Sequence, residues 1–317
     1  NMNGNVAAIK NQIVKKVSNY IFLKNLCFAV TANGSHVFAA GFEDCTFMQY
    51  NVSQGKMEAD FRAHSDIVSC IAIDEDANKN RMVLVTGSYD RSIIVWKGQM
   101  EKKRHTRSLS ASYNALQLQL ELHESYRREQ LDAAVNCVDI SMEKGVIVVG
   151  TKNGDLIMYH SSKGDVLWST SVRDLYAVYN IAICRVSKTF GTVLVYCCDY
   201  DQQPTKLYLF GDSGELLNEC VVADNDRYHE VVFSKSGNNV SCGGLNKCIV
   251  IYKLPSFQIA IELSDANDII RSLTTDKDDQ YILCGLNNGN VLLYSFPESA
   301  QKDASKNRKA LYGTTGK

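Results

Sequence analysis

Apolar and polar positions follow one rhythm five times along the chain. A short apolar run meets a polar turn, a second apolar run ends at a glycine, and a third run ends at an aromatic. The five segments open at Phe28, Cys70, Cys137, Glu230 and Ser272 and close at Tyr50, Trp96, Tyr159, Tyr252 and Tyr294. Nine residues before each aromatic stands a glycine (Gly41, Gly87, Gly150, Gly243, Gly285). Six residues before it stands Asp44, Asp90, Asn153, Asn246 or Asn288.

Each segment reads as a three-strand meander. Runs such as Ser92–Trp96 and Val291–Ser295 are rich in β-branched and aromatic residues, which suit a pleated, half-buried surface. The Asp or Asn belongs in the tight turn, because it tolerates left-handed backbone and hydrogen-bonds its own main chain. A fourth, more polar strand is expected outside these three. Leu116 to Leu122 shows it best, with Leu and polar residues alternating at period two. A sixth, degenerate copy spans Tyr179 to Cys220, keeping the strand rhythm but losing the glycine and the turn Asp.

The aromatics recur at roughly forty to sixty residues, the period of four strands per propeller blade. The expected fold is an all-β propeller with six recognisable blades and a seventh that is partial or completed by the chain ends. Residues 26–298 form the propeller, with an insertion loop at 97–115. Residues 1–25 are a lead-in, a helix followed by a closing strand at Tyr20 to Leu23. Residues 299–317 are polar and basic and read as a flexible tail. The first residue is Asn1, so the chain reads as a piece of a longer polypeptide.

Composition narrows the function. A formal net charge of -1 over 317 residues gives no global pull toward nucleic acid. No apolar run is long enough for a spanning helix, and the N-terminus lacks a secretory pattern. Eleven cysteines without a C-x-x-C read as reduced core thiols of a cytoplasmic protein. Six histidines without metal-ligand spacing argue against a metal. Without a Walker loop or G-x-G-x-x-G, no cofactor is expected. Asn287 to Asn290 and Asn153 to Asp155 lack the full calcium-ligand series and read as tight turns.

The second repeat resembles a WD repeat, with Ala63-His64, Thr86-Gly-Ser-Tyr-Asp90 and Trp96. That resemblance implies a hydrogen-bonded tie through His64, Thr86 or Ser88, Asp90 and Trp96, weakened in the repeats that carry Tyr and Asn instead. His64, Ser88 and Asp90 also form a superficial hydrolase trio. The chain has no G-x-S-x-G elbow, so the structural tie is the expected role and no catalytic residue is assigned.

Three stretches carry a further resemblance: Cys27 to Asn51, His64 to Lys97, and Leu245 to Phe296. Together with the weaker middle they resemble the C-terminal propeller of BEACH-domain proteins of the neurobeachin-like group. The resemblance implies a non-catalytic protein–protein interaction platform in a vesicle-trafficking scaffold. It implies a cytoplasmic location, peripheral on intracellular membranes, and an upstream BEACH domain. The alternatives are a WD-repeat adaptor of another kind, such as a ubiquitin-ligase substrate receptor, and a propeller hydrolase.

Propellers bind at the face where the tight turns meet, and the residue before each turn Asp or Asn points there. Glu43, Tyr89, Lys152, Leu245 and Asn287 are therefore the candidate partner-binding residues. Lys97, Lys102, Lys103, Arg104 and Arg107 form a basic stretch suited to acidic lipid. Ser110, three residues after Arg107, is a candidate phosphosite. The charged run His123 to Ala133, with Tyr126, is a second recognition candidate.

Overall fold

A computed structural model describes residues 27–76, 81–103, 117–172, 181–187, 193–197, 205–222, 227–276, 278–295 and 308–312. The lead-in helix and the closing strand at Tyr20 to Leu23 lie outside them.

The described residues form six antiparallel sheets of four strands. The first holds β1 (Cys27–Val30), β2 (His36–Ala40), β3 (Phe47–Asn51) and β4 (Lys56–Phe61). The second holds β5 (Val68–Asp76), β6 (Arg81–Ser88), β7 (Ile93–Lys103) and β8 (Gln117–Arg128). The third holds β9 (Val135–Ser141), β10 (Val146–Thr151), β11 (Asp155–His160) and β12 (Val166–Ser171). The degenerate copy forms the fourth: β13 (Ile181–Val186), β14 (Val193–Cys197), β15 (Lys206–Phe210) and β16 (Leu216–Val221). The fifth holds β17 (Tyr228–Phe233), β18 (Asn239–Gly244), β19 (Ile249–Lys253) and β20 (Gln258–Leu263). The sixth holds β21 (Ile270–Thr275), β22 (Tyr281–Leu286), β23 (Val291–Ser295) and β24 (Arg308–Tyr312). Every sheet is a meander in chain order, as short polar turns between apolar runs require.

Described residues up to 149, with 159–165, make one compact unit; 150–158 and those from 166 onward make another. Within the first, Ala29, Phe38 and Phe47 of one sheet share a core with Met82, Leu84 and Trp96 of the next. Within the second, Ile249 and Ile251 pack with Ile270, Ile282 and Tyr294. Sheets thus bury their faces on one another, which is why β3 and β10 are buried along their whole length. The fourth strands β4, β12, β16 and β20 are the exposed ones, as their polar residues lead one to expect.

The structure assigns the turn chemistry differently from the sequence reading. The left-handed residue is the one after the Asp or Asn: Cys45, Arg91, Gly154, Lys247 and Gly289. The expected bond to the main chain is present at Asp44, Asp90, Asn246 and Asn288, each of which accepts a backbone N–H two residues on. Asp90 Oδ1 takes Ser92 N–H at 3.0 Å, and Asn246 and Asn288 do the same at 3.0 Å. The left-handed strain is displaced one residue because the Asx side chain itself closes the turn.

Two further boundaries change. Lys97 to Lys103 belong to β7 and pair with β8 out to Lys103↔Gln117, so the insertion is not a loop from 97. Arg104, Arg107 and Ser110 lie outside the described residues. Arg308–Tyr312, inside the expected flexible tail, is β24 and pairs with β23.

Candidate functional site

The second sheet carries the expected tie, and its geometry selects the members. Trp96 Nε1–H donates to Thr86 Oγ1 at 3.1 Å. Thr86 Oγ1 lies 2.9 Å from His64 Nε2. His64 Nδ1 lies 3.0 Å from Asp90 Oδ2. His64 Nδ1 also lies 3.0 Å from Ser92 Oγ, so with a neutral His64 Thr86 donates to Nε2 and the Nδ1–H is shared between Asp90 Oδ2 and Ser92 Oγ. Ser92 Oγ donates to Asp90 Oδ1 at 2.6 Å, and Ser65 N–H to Oδ2 at 2.9 Å. The Trp96 ring meanwhile packs edge-on against Phe47 and Phe61, at 5.1 and 5.4 Å between centroids.

Ser88 is not a member. Its hydroxyl donates to Asp66 O at 3.1 Å and accepts from Asp90 N–H at 3.1 Å. It stands two residues on from Thr86, at the end of β6, where both of its bonds go to the flanking turn segments, and only Thr86 receives the indole N–H. The apparent Ser-His-Asp trio therefore has no serine on its histidine from position 88. Burial drives the His64 imidazole below its ordinary range, against the pull of Asp90. Burial also raises the Asp90 carboxyl, but hydrogen bonds from Ser92, Ser65 and His64 outweigh it, and its pKa falls.

Where Trp gives way to Tyr, the tie is rebuilt. Tyr294 OH donates to Asp265 Oδ1 at 2.8 Å, and Tyr252 OH lies 2.7 Å from Tyr228 OH. In the first sheet buried His36 contacts Glu58 Oε2 at 3.1 Å, and Gln49 and Asn51 also donate to that carboxylate. Sequence matching missed these partners because they are not at the WD positions.

Of the candidate binding residues, Glu43, Lys152, Leu245 and Asn287 are exposed and Tyr89 is half-buried. Asn287 Oδ1 accepts from Arg271 Nε at 3.0 Å, so it arrives preset. The run His123 to Ala133 is reassigned in part. His123 to Arg128 belong to β8, where Tyr126 OH donates to Ser161 O at 3.0 Å and Arg128 Nε to Gly164 O at 2.8 Å. These two side chains fasten β8 to the β11–β12 turn. Gly164, at φ 72°, is needed there, since a Cβ would stand 2.7 Å from the Tyr126 ring.

Among the described residues no group of three His, Cys, Asp or Glu is placed to hold a metal, and nine cysteines are free thiols. Burial pushes the Cys284 thiol up to about 12, far from the thiolate form. No described helix is long and apolar enough to cross a membrane.

The neurobeachin beta propeller domain matches residues 4–304. BEACH domain-containing protein lvsE of Dictyostelium discoideum is 24% identical over 285 residues, 85% of this chain and 12% of that protein. A neurobeachin homolog of Caenorhabditis briggsae is 23% identical, over 84% of this chain and 10% of its own length. BEACH domain-containing protein B of Arabidopsis thaliana is 22% identical, over 91% of this chain and 11% of its own length. The chain thus spans about a tenth of the curated relatives it matches. With its four-stranded meanders, its WD-type tie and this match over nearly its full length, the chain is an all-β propeller and belongs to the neurobeachin beta propeller domain family.

Proposed function

We propose that the chain is a non-catalytic protein–protein interaction platform within a BEACH-type scaffold of vesicle and membrane trafficking. Each of its four-stranded sheets then serves as one blade. The carrying observation is the recurrent β-turn between second and third strands. It holds unlike side chains (Glu43, Lys152, Leu245, Asn287) out in solvent, three of them beside an Asx hydrogen bond made by Asp44, Asn246 or Asn288. Rigid strands that present variable loops are how binding scaffolds separate stability from specificity.

The polar groups that could do chemistry support this reading. His64 and Asp90 are committed to the tie, which leaves them no proton to trade without breaking it. The partners in this account are other proteins and the BEACH domain of the longer polypeptide, in the cytoplasm. Lys102, Lys103, Arg104 and Arg107 add a peripheral contact with acidic membrane, which a phosphate on Ser110 would weaken by adding roughly two negative charges. The test is co-purification of partners from cells with wild type and with a Glu43→Lys, Leu245→Asp, Asn287→Asp variant. The proposal expects specific partners to drop out while the unfolding midpoint holds; an identical partner set would end it.

A further inference from the structure

We propose that a cavity beside the His64–Asp90 tie is a recognition pocket for an oxyanion-bearing side chain of a partner polypeptide, phosphate or carboxylate, read by Arg62 and Arg91. This deepens, and rests on, the platform reading. The cavity measures about 410 Å3. Three stretches of the first compact unit wall it: the approach to β5 with Arg62 and His64, the β6–β7 turn with Asp90 and Arg91, and the end of β8 with Arg127 and Glu129. A water takes about 30 Å3 of liquid, so this space admits a whole side chain.

The acids in the wall are already engaged. Both Asp90 oxygens are taken, Oδ1 by Ser92 and Oδ2 by His64 and Ser65. Glu129 pairs with Arg127 Nη1 at 3.3 Å, and Arg127 Nη2 pairs with Glu124 at 3.2 Å. Arg62 and Arg91 differ: among the described residues neither guanidinium has an ion pair or a side-chain hydrogen bond, and both residues are exposed. Two planar, permanently charged forks on one cavity match an oxyanion, which each can hold through paired N–H bonds.

The backbone fixes where the Arg91 side chain starts. Arg91 holds φ 64° at the left-handed turn position that Cys45, Gly154, Lys247 and Gly289 hold in the other sheets. Its backbone is clamped, with Arg91 N–H on Ser88 O at 3.3 Å and Leu131 N–H on Arg91 O at 3.1 Å. The guanidinium therefore starts from a fixed root at the cavity wall.

A peptide array tests this. Each peptide carries phosphoserine, phosphothreonine, glutamate or serine at one central position within randomised flanks. It is probed with the folded chain as wild type, as Arg62→Gln, Arg91→Gln, and as Arg62→Lys, Arg91→Lys. Wild type should retain anionic-centred peptides over serine-centred ones, and excess inorganic phosphate should compete. Retention only of the phosphorylated arms makes phosphate the ligand; retention of glutamate as well shows that a carboxylate suffices. The Gln pair should lose at least about tenfold, since charge-assisted bonds are each worth that or more. The Lys pair, which keeps charge but loses the forks, should fall between, and it serves as the readout should the Gln pair unfold. Equal retention of all four centres by wild type, or equal retention by wild type and the Lys pair, overturns the pocket. Partners lost with the Glu43, Leu245 and Asn287 changes but kept with the Gln pair would reject the pocket and leave the platform standing.

Discussion

At the scale of single residues, the tie in the second sheet makes a sharp distinction between neighbours. Thr86 is both acceptor for Trp96 and donor to His64. Thr86→Val keeps the volume but strands two buried polar groups, and should cost about 2–4 kcal/mol in urea unfolding. Ser88→Ala removes bonds to Asp66 and Asp90 only, and should cost about 1 kcal/mol. The family pattern offered both hydroxyls; both are buried, and the hydrogen-bond partners each one meets decide between them, which a linear motif does not contain. Acid should act on the same tie. His64 has a pKa lowered from 6.5, and Asp90 one lowered from 3.8. Both are depressed in the folded state, so the stability each gives is complete above its unfolded value and is lost as pH falls through the folded one. Urea midpoints should therefore be flat from pH 8 to about 6.5, decline below that as the unfolded chain takes up the proton that folded His64 resists, and fall again below 3.8 for Asp90 by the same reasoning.

At the scale of elements, the glycines and turns carry the repeat. Gly87 lies where a Cβ would stand 2.6 Å from Val135 and 2.7 Å from Cys70, and Gly243 meets Ile270 in the same way. The conserved spacing within this chain thus reflects the close approach of the next first strand, and Gly87→Ala should destabilise by about 1–3 kcal/mol through overpacking. Gly244, outside the spacing pattern, is more constrained. A Cβ there would stand 1.7 Å from the Arg227 carbonyl oxygen, a backbone atom that cannot swing aside. Gly244→Ala should therefore cost more than Gly87→Ala in the same assay. Lys247, at φ 61°, should gain about 0.5–1 kcal/mol as glycine, the left-handed cost being partly offset by unfolded-state freedom.

Much of this level was legible in advance. The glycine, Asx and aromatic positions located the second and third strands of five sheets, and the strand rhythm located the fourth sheet without them. What escaped was non-local. The recurring β-bulge in first strands, which leaves Ser69, His229 and Arg271 unopposed, depends on register across strands. The long β7–β8 ribbon and β24 depend on pairing partners supplied by another strand, so charge and polarity alone made them look like loop and tail.

At the scale of the whole molecule, stability and recognition are divided between different residues. Sheet faces bury one another, hydroxyl, histidine and carboxylate groups tie strands together, and the turn residues remain in solvent. The basic stretch should act independently of them. Replacing Lys102, Lys103, Arg104 and Arg107 by Gln should reduce sedimentation with phosphatidylserine vesicles in low salt, an effect that falls with ionic strength. Unchanged sedimentation would remove the membrane contact and leave protein binding intact.

The platform claim itself is tested most directly by site-specific photo-crosslinking in cells. A photoreactive amino acid is placed in turn at Glu43, Leu245 and Asn287, and, as the comparison, at the exposed outer-strand position Lys56. The account predicts discrete crosslinked proteins from the turn positions and none of the same species from Lys56. Crosslinks confined to Lys56, with the turn positions silent in folded protein, would contradict it.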